Sequence, residues 1–427
     1  MPDWLHYLLS PWTTPFTLVA AVVAAAAALG VRGRRLAVLA AATASGLAMW
    51  AAWKSGPPSG LLDLKIYVGA ARAWLHGGSM YDYHDEVFNL TATYPPIGPI
   101  AFSVFDPFPV ELREVVFTFL SMVALGASSW FAIGLAGITG RRRVDWSLWG
   151  FAAAVVTTPV WLTIRQGQIN ILLWFLVLLD IDALRRSRAW SGLGIGLATA
   201  IKLVPGVFLV WLATTRRWAA ALRAAVVVVA ATALGWALAP SDSRRYWTDL
   251  LWDSGHVGRL ADDRNNSVMG VLARLLPDGT ARSVVWLILV ATVAVIGLVR
   301  ATRAARVGDL LAATAIVGCV ASAISPISWA HHLGWLVLAL LPFVLLARTT
   351  RARVLCALGY LVLVGPMGHG DEAWLSSVRA VLLVAAVLLV PITVGRSSTD
   401  PFGTDPLVAE PGLDAALPSD GQGPTRA

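Results

Sequence analysis

The carboxylate of Asp63 stands at the start of an amphipathic stretch that runs to Trp74. Asp63, Tyr67, Ala70 and Trp74 recur at helical spacing, so the sequence predicts a helix that carries them on one face. A carboxylate in this position can take a proton from a reacting hydroxyl group, or it can cap the helix by accepting backbone N–H bonds. Neither Glu nor Gln occupies the third helical position, so no capping box is present. From the spacing alone, both roles stay open.

Amide side chains and a guanidinium are concentrated in the segment 165–170, at the predicted end of an apolar span. Such groups are poor partners for lipid. Carboxamides hydrogen-bond well to sugar hydroxyls, and arginine suits phosphate. Because a helix cap needs only one polar residue, we predict that these side chains contact a ligand: Arg165, Gln166, Gln168 and Asn170.

Lys202 lies inside an apolar run that Pro205 interrupts. An ammonium in the middle of a membrane helix costs roughly 2.5–3.5 kcal/mol on insertion scales, so such a lysine usually faces a cavity and a partner. An anionic phosphate is one candidate partner; the alternative is that the side chain extends to the membrane surface. In the preceding polar region, Tyr94 is followed by two prolines, which form either a rigid rim beside a ligand or a loop stiffener.

Two adjacent histidines, His331 and His332, stand where an apolar span begins. Histidines there can hold phosphate, transfer protons or bind a metal. Adjacent side chains point in different directions on a helix, and neither cysteine nor a His-x-x-x-His pattern accompanies them, so we predict no metal site. Asn265 and Asn266, at the end of another polar region, either bind substrate or form a turn.

Composition shows what surrounds these residues. Of the 427 residues, 57% are hydrophobic and only 14% are charged, and mean hydropathy is +0.69. Soluble domains carry about 25% charged residues, so most of this chain has lipid as its solvent. Cys319 and Cys356 are the only cysteines, and both lie in apolar runs, which excludes a disulfide framework. The net charge of +8 accompanies the span ends, so it indicates membrane topology rather than nucleic-acid binding.

The apolar segments predict an all-α polytopic membrane protein with about 11–13 membrane helices. They cover approximately 16–31, 36–53, 114–138, 146–163, 169–184, 219–239, 283–300, 309–325, 332–347, 353–367 and 375–394. Between 190 and 215 the chain must leave and return to the same side if Arg216 and Arg217 are to join the other basic clusters. We therefore predict a hairpin of two half-length helices, broken between Lys202 and Pro205.

Basic clusters at the span ends predict the cytoplasmic side. On this basis residues 1–395 form one integral membrane domain whose two long loops, 54–113 and 240–282, face outward together with the polar residues described above. Residues 396–427 are rich in proline, glycine and aspartate, and we predict a disordered cytoplasmic tail.

Taken in order, these polar blocks resemble glycosyltransferase family 87, whose members are actinobacterial polyprenol-phosphate-mannose-dependent α-(1→2)-mannosyltransferases. The chain looks like the enzymes that elongate phosphatidylinositol mannosides or branch lipomannan. The resemblance covers about residues 60–335. It is carried by Asp63 with Tyr67, Tyr94-Pro95-Pro96, Gly167-Gln168-Ile169-Asn170, Lys202 with Pro205, Asn266-Ser267 and Ser325-Pro-Ile-Ser-Trp-Ala-His331-His332.

The resemblance implies a GT-C fold in the plasma membrane, with the catalytic pocket at the extracytoplasmic face. It implies polyprenyl-phosphate-mannose as donor substrate, a mannosylated glycolipid as acceptor, and no cofactor. Asp63 matches the acidic residue of the first outer loop that acts as the base. We expect the donor phosphate and sugar to be held by Lys202, His331, His332 and Arg165. Substrate contacts are expected from Tyr67, Tyr94, Gln166, Gln168, Asn170, Asn265 and Asn266.

Two alternatives follow from the same sequence. A membrane transporter or flippase would also bury polar groups, but transporters commonly show repeat symmetry and binding groups near the midplane. This sequence has no repeat of fixed period, and its polar residues gather at one face. The second alternative keeps the GT-C fold with a different polyprenol-linked sugar.

Overall fold

The computed structural model describes residues 14–29, 33–54, 61–364 and 373–393. Within these ranges the chain forms eighteen α-helices and no strand. In chain order they are α1 (Thr14–Leu29), α2 (Arg34–Lys54), α3 (Leu62–Leu75), α4 (Ile97–Phe102), α5 (Val110–Leu135), α6 (Gly140–Val155), α7 (Thr158–Gln166), α8 (Asn170–Arg185), α9 (Leu193–Ile201), α10 (Gly206–Thr214), α11 (Trp218–Leu238), α12 (Pro240–Arg245), α13 (Val268–Leu275), α14 (Thr280–Arg306), α15 (Leu310–Ile324), α16 (Gly334–Leu346), α17 (Thr350–Val364) and α18 (Ala373–Leu389).

Long apolar helices confirm the predicted all-α membrane fold. In the described ranges, α5, α11 and α14 are each long and apolar enough to cross a bilayer alone, and α6 with α7 would together make a fourth span. The other predicted segments coincide with the helices α1, α2, α8 and α15 to α18. Among these, α8, α16 and α18 pack against the almost fully buried α15, as does the long helix α14.

One predicted span, 146–163, is wrong as a single helix, because α6 and α7 meet there at a bend of 70°. Pro159 lies in the first turn of α7. Proline lacks a backbone N–H and clashes with the preceding turn, so α6 cannot continue through it. The bend brings the end of α7 to the start of α3, where the Leu61 N–H donates to the Arg165 carbonyl (3.3 Å).

The predicted hairpin is confirmed as two nine-residue helices, α9 and α10, with the break at 202–205. The start of α9 packs on the start of α11, where Gly192 approaches the Ala220 carbonyl so closely that a side chain there would clash. Helix α10 ends at Thr214, only the three residues 215–217 before α11 begins. The start of α9 and the end of α10 therefore both lie beside the start of α11. In a single kinked helix these two ends would lie on opposite sides of the membrane.

Arginine-rich helix ends meet on one side of the bundle, which we call the arginine end: the starts of α2, α6, α9, α11, α15 and α17 with the helix ends that precede them. Arg34 at the start of α2 pairs with Asp145 in α6 (2.6 Å). Thr214, at the end of α10, hydrogen-bonds to Thr302 near the end of α14 (2.9 Å). Arg216 and Arg217 thus join the other basic clusters, as the hairpin requires.

Two acidic residues near the end of α8 are structural. Asp182 pairs with Arg185 (2.6 Å) and Arg186 (2.7 Å). Asp180 accepts backbone N–H bonds from Gly192 (2.5 Å) and Ile195 (2.9 Å). The Asp180 carboxylate therefore holds the start of the hairpin helix α9 against α8.

The two long loops pack on each other at the opposite end of the bundle and form a cap, defined by α3, α4 and α12 with their connections. A separate hydrophobic cluster joins them, in which Tyr81 stacks on Tyr246 with ring centroids 5.9 Å apart. Polar contacts reinforce it: the Ser79 hydroxyl donates to Asp242 (2.5 Å), and Arg245 pairs with Asp82 (2.5 Å). The predicted tail 396–427 lies outside the described residues.

Candidate active site

Asp63 is the second residue of α3, in the cap and outside the apolar spans. The residue that precedes the helix, in the capping position, is Leu61, held in the left-handed region at φ 45°. No side chain caps this helix, so the capping role that the spacing left open does not apply to Asp63. The residue is half-buried, and its carboxylate accepts a hydrogen bond from the Gln168 side chain.

Gln168 reaches Asp63 because of the glycine before it. Gly167 ends α7 in the left-handed region at φ 67°, and a side chain there would come within 2.8 Å of the Leu64 Cβ atom. Only glycine fits this conformation at so close an approach. The turn directs the buried Gln168 side chain toward α3, from a position 105 residues further along the chain (168 − 63).

Two buried tyrosines orient the Gln168 amide. Its Oε1 atom accepts from the hydroxyls of Tyr67 (3.0 Å) and Tyr94 (2.9 Å), which are themselves 2.6 Å apart. Because both hydroxyls occupy the oxygen, the amide nitrogen is left to face Asp63. The tyrosine rings stack with centroids 5.0 Å apart, so aromatic packing holds this geometry.

Lys202, in the break of the hairpin, is buried and its side chain points into the same polar network. Its Nζ atom lies 3.2 Å from Tyr94 Oη, 3.0 Å from Asn170 Oδ1 and 3.0 Å from His332 Nε2. The side chain therefore does not extend to the membrane surface. The hairpin brings a nitrogen that can carry charge to the end of the bundle where Asp63 lies.

The two histidines form a short 3-10 turn, Ala330–His332, and their side chains have different surroundings. Asn170 Nδ2 donates to the His331 carbonyl (3.0 Å), and the Ser322 hydroxyl donates to the His332 carbonyl (3.2 Å). This fixes the turn against α8 and α15. His332 faces Lys202, whereas the His331 Nε2 atom is buried with no hydrogen-bond partner among the described residues.

Burial changes the acidity of Asp63. Removing the carboxylate from water disfavours its charged form and raises the pKa of Asp63 to about 7, although the hydrogen bond from Gln168 lowers it in part. A general base is most effective when its pKa lies near the working pH. The environment of Asp63 therefore suits proton acceptance.

Arg165 and Gln166 do not join this network. The Arg165 side chain is exposed, and the Gln166 Oε1 atom is buried without a hydrogen-bond partner among the described residues. The predicted contacts of both residues with substrate stay predictions. Their neighbours Gln168 and Asn170 are brought to Asp63 and Lys202 by the turn at Gly167.

The amides of Asn265 and Asn266 are used inside the protein. Asn265 Nδ2 donates to the carbonyls of Leu260 (3.0 Å) and Pro326 (3.1 Å), and its Oδ1 accepts from the N–H groups of Ser267 (3.1 Å) and Ser328 (3.0 Å). Asn266 Nδ2 donates to the Ser328 carbonyl (3.0 Å). Both tie one loop to the turn that precedes His331, so the turn interpretation describes them best; their predicted contact with substrate stays a prediction.

Aromatic residues that sequence reasoning missed form the wall beneath this network. A small cavity of about 30 Å³ lies beside Lys202, Asn170 and His332, and Trp174, Phe208 and Trp335 line it. Trp174 follows Asn170 by four residues and Trp335 follows His332 by three. That helical spacing is the signal by which they could have been found. In the described part of the chain, no three His, Cys, Asp or Glu side chains are grouped so that they could hold a metal ion.

A carboxylate with a raised pKa, a buried lysine and a histidine meet under a cap at one end of a membrane bundle. These features define a polytopic membrane protein with an ionisable site for a polar group at the bilayer surface. The sequence model of glycosyltransferase family 87 matches residues 92–326. The chain belongs to this family.

Curated relatives agree with that assignment. A polyprenol-phosphate-mannose-dependent α-(1-2)-phosphatidylinositol mannoside mannosyltransferase of Mycobacterium tuberculosis is 33% identical over 302 residues, 66% of this chain and 69% of that protein. A phosphatidylinositol pentamannoside mannosyltransferase of Mycolicibacterium smegmatis, with the same named donor and linkage, is 33% identical over 293 residues, 67% and 70% of the two chains. No solved structure matches the chain.

Proposed function

We propose that this glycosyltransferase moves mannose from polyprenyl-phosphate-mannose to a mannosylated phosphatidylinositol lipid, with inversion at the anomeric carbon. The relatives named above carry this donor and acceptor class in their names. One observation supports the proposal most strongly: the Gln168 amide links Asp63 to Tyr94, and Tyr94 is in turn hydrogen-bonded to Lys202. A base and a lysine that becomes a cation when it binds phosphate are thus parts of one network.

The chemistry needs a base on the acceptor side. The acceptor hydroxyl oxygen attacks the anomeric carbon, its proton passes to the Asp63 carboxylate, and the bond from that carbon to the phosphate oxygen breaks. Such a base contributes typically 10²–10⁴-fold to the rate. Gln168 holds the carboxylate in one orientation, so the oxygen that accepts the proton stays directed at the acceptor.

The leaving group needs positive charge. Polyprenyl phosphate departs with the bonding electron pair and requires no general acid, but its developing charge needs N–H donors. Lys202 and His332 face one small cavity and supply these donors in the proposed mechanism. In the proposed mechanism, Asn170 orients Lys202 and also contacts the donor sugar. We propose that the step requires neither a cofactor nor a metal ion.

We propose that the arginine end is cytoplasmic and that the cap faces the outside of the plasma membrane. The positive-inside rule supports this orientation, because the basic clusters gather at the arginine end. The proposed base and donor site then lie in the outer half of the membrane, where a lipid-linked sugar can enter sideways from the bilayer. Residues 1–395 constitute this membrane domain in the proposal, followed by the cytoplasmic tail.

A transfer assay tests the proposal. Purified protein in lipid nanodiscs is given radiolabelled polyprenyl-phosphate-mannose with phosphatidylinositol mannosides of different length, and the lipid products are separated and digested with an α-(1→2)-specific mannosidase. We expect a labelled product that loses its label on digestion. Polyprenyl-linked glucose and pentose donors are tested in parallel.

Two results would contradict the proposal. Transfer from another polyprenol-linked sugar, with none from the mannose donor, would keep the enzyme class and change the substrate. Movement of the donor across the bilayer without any covalent product would instead support a flippase.

A further inference from the structure

A large apolar cavity lies on the far side of Trp174 and Trp335 from Lys202. Its volume is about 750 Å³, within the range of about 300–1,000 Å³ that is typical of ligand sites. Helices α1, α5, α6, α8, α16 and α17 surround it, and small side chains such as Ala132, Ala153 and Ala357 keep it open. The proposed sugar transfer makes no use of this space.

The cavity follows α16 from Gly334 to Leu346. At 1.5 Å per residue, this distance is roughly 18 Å. The hydrocarbon core of a bilayer is about 30 Å thick, so the cavity extends through slightly more than one leaflet. Its length therefore suits one acyl chain of a lipid from the leaflet at the arginine end.

Guanidinium groups line the end of the cavity at the arginine end, where Arg142, Arg348 and Arg353 contribute to the wall. Arg142 and Arg348 are exposed, so this end reaches the bilayer surface. The Nε atom of Arg353 is buried, and no described residue accepts its hydrogen. The acidic lining residue Asp145 is paired with Arg34, at the start of α2 (2.6 Å).

The other end of the cavity is closed by two indole rings. Trp174 and Trp335 meet edge to face with centroids 6.4 Å apart, and they also line the small cavity beside Lys202. Gly334 packs so closely on Trp174 that a side chain there would clash. A donor whose phosphate is at Lys202 would have to cross this wall to place its polyprenyl chain in the large cavity.

We propose that this cavity is a binding site for an anionic phospholipid, separate from both substrates of the enzyme. One acyl chain fills the apolar space, and the headgroup phosphate contacts Arg348 and Arg353 beside Arg142. The methyl end of the acyl chain contacts Trp174 and Trp335 on the side of these rings that faces the arginine end. The bound lipid thus supports the aromatic wall on whose other side Lys202 and His332 lie.

Selectivity must come from the headgroup. A hydrocarbon chain gains little when it moves from a bilayer into an apolar cavity, because both surroundings are equally apolar. The arginines, by contrast, bind a phosphate with net negative charge through charge-assisted hydrogen bonds. A zwitterionic lipid of the same chain length brings a positive group as well, and arginines repel that group.

Competition between two lipids tests the proposal on the full chain. Detergent-exchanged protein is incubated with equal amounts of phosphatidylglycerol and phosphatidylcholine that carry identical acyl chains, and native mass spectrometry measures which lipid is retained. We expect at least a tenfold preference for phosphatidylglycerol. The double substitution Arg348→Gln, Arg353→Gln should reduce the preference below about twofold.

Two further variants locate the site. Arg351→Gln is the matched control, because Arg351 is exposed in the same segment but does not line the cavity; it should keep the preference. Ala153→Phe fills the space from α6 and should lower retention of both lipids. A folded Ala153→Phe variant that retains phosphatidylglycerol as well as the wild type would place the lipid elsewhere.

Cys356 provides a native reporter, because it lines the cavity while Cys319 is fully buried in the core. In a Cys319→Ala background, phosphatidylglycerol should slow the reaction of Cys356 with N-ethylmaleimide at least fivefold relative to phosphatidylcholine. Equal reaction rates and equal retention would overturn the proposal. Protection by polyprenyl phosphate, with none by phosphatidylglycerol, would also overturn it and assign the cavity to the donor chain.

Discussion

The Nζ atom of Lys202 lies 3.0 Å from Nε2 of His332, while the other ring nitrogen, Nδ1, accepts the backbone N–H of Trp329 (3.1 Å). In a neutral imidazole, the nitrogen that accepts carries no hydrogen, so Nε2 carries it. An ammonium has three donors and no acceptor. Lys202 can therefore accept from Nε2 only as a neutral amine, whose two remaining hydrogens match its contacts with Tyr94 and Asn170.

This arrangement predicts that donor binding takes up a proton. A phosphate that enters beside Lys202 favours the ammonium, so the amine becomes protonated as the donor binds. Binding of a non-hydrolysable analogue of polyprenyl-phosphate-mannose is measured by calorimetric titration at pH 8 in buffers of different ionisation enthalpy. The titrations should show that about one proton is taken up per analogue bound. The Asp63→Asn variant is used so that this carboxylate cannot contribute, and adding Lys202→Met should abolish the uptake. If the Asp63→Asn variant releases a proton on donor binding, or takes up none, Lys202 is not a neutral amine in the free protein.

Gln168 is expected to set the pH dependence of transfer. The base must be deprotonated and its pKa is about 7, so kcat/KM should fall about tenfold per unit below that pH and level off above it. The hydrogen bond from Gln168 stabilises the charged carboxylate, so Gln168→Leu should raise the pKa of Asp63. The fall in kcat/KM should then begin about one pH unit higher than in the wild type. Gln166→Leu is the matched control. A Gln168→Leu profile superimposable on that of the wild type would show that the amide does not act on Asp63.

Asn265 should matter for stability and little for chemistry. Asn265→Ala removes four hydrogen bonds from a fully buried amide and leaves backbone groups unpaired, so we expect a loss of about 2–4 kcal/mol. Thermal unfolding in detergent, followed by tryptophan fluorescence, measures this loss. The fraction that stays folded should retain kcat within about threefold. A normal melting temperature with lost turnover would instead return Asn265 to substrate binding.

The hairpin shows what the sequence could predict. The positive-inside rule places Arg216 on the same side of the membrane as Arg185. The chain between them can leave and return to that side only as two half-length helices. The network around Asp63 could not be predicted in the same way. Gln168 and Asp63 are 105 residues apart (168 − 63), and their contact depends on a bend at Pro159 and a left-handed turn at Gly167.

Adjacent residues were the hardest to separate from sequence. His331 and His332 have the same chemistry, and only the 3-10 turn decides that His332 faces Lys202. Asn265 is similar, because a buried amide with four protein partners has the same sequence signature as one that binds a sugar.

The large cavity beside Trp174 could not be predicted from the sequence for another reason. It depends on how six helices pack their small side chains.

Orientation is tested by cysteine labelling in intact cells. A cysteine at Ser254, in the second loop of the cap, should react with an impermeant maleimide, and one at Val307, at the arginine end, should not. Thr302 is unsuitable for this purpose, because it is buried against Thr214 and would be unreactive on either side. Ser59 and Gly370, two further positions for introduced cysteines, lie outside the described residues. Labelling at Val307 alone would reverse the proposed topology.

The most direct measurement is single-turnover transfer by Asp63→Asn. The amide keeps the size of the side chain and accepts no proton near neutral pH, so donor affinity should stay within about threefold while transfer falls at least a hundredfold. Asp82→Asn is the control, since Asp82 lies in the same cap as a largely exposed partner of Arg245 and should turn over normally. A well-folded Asp63→Asn protein with near-normal turnover would contradict the assignment of Asp63 as the base.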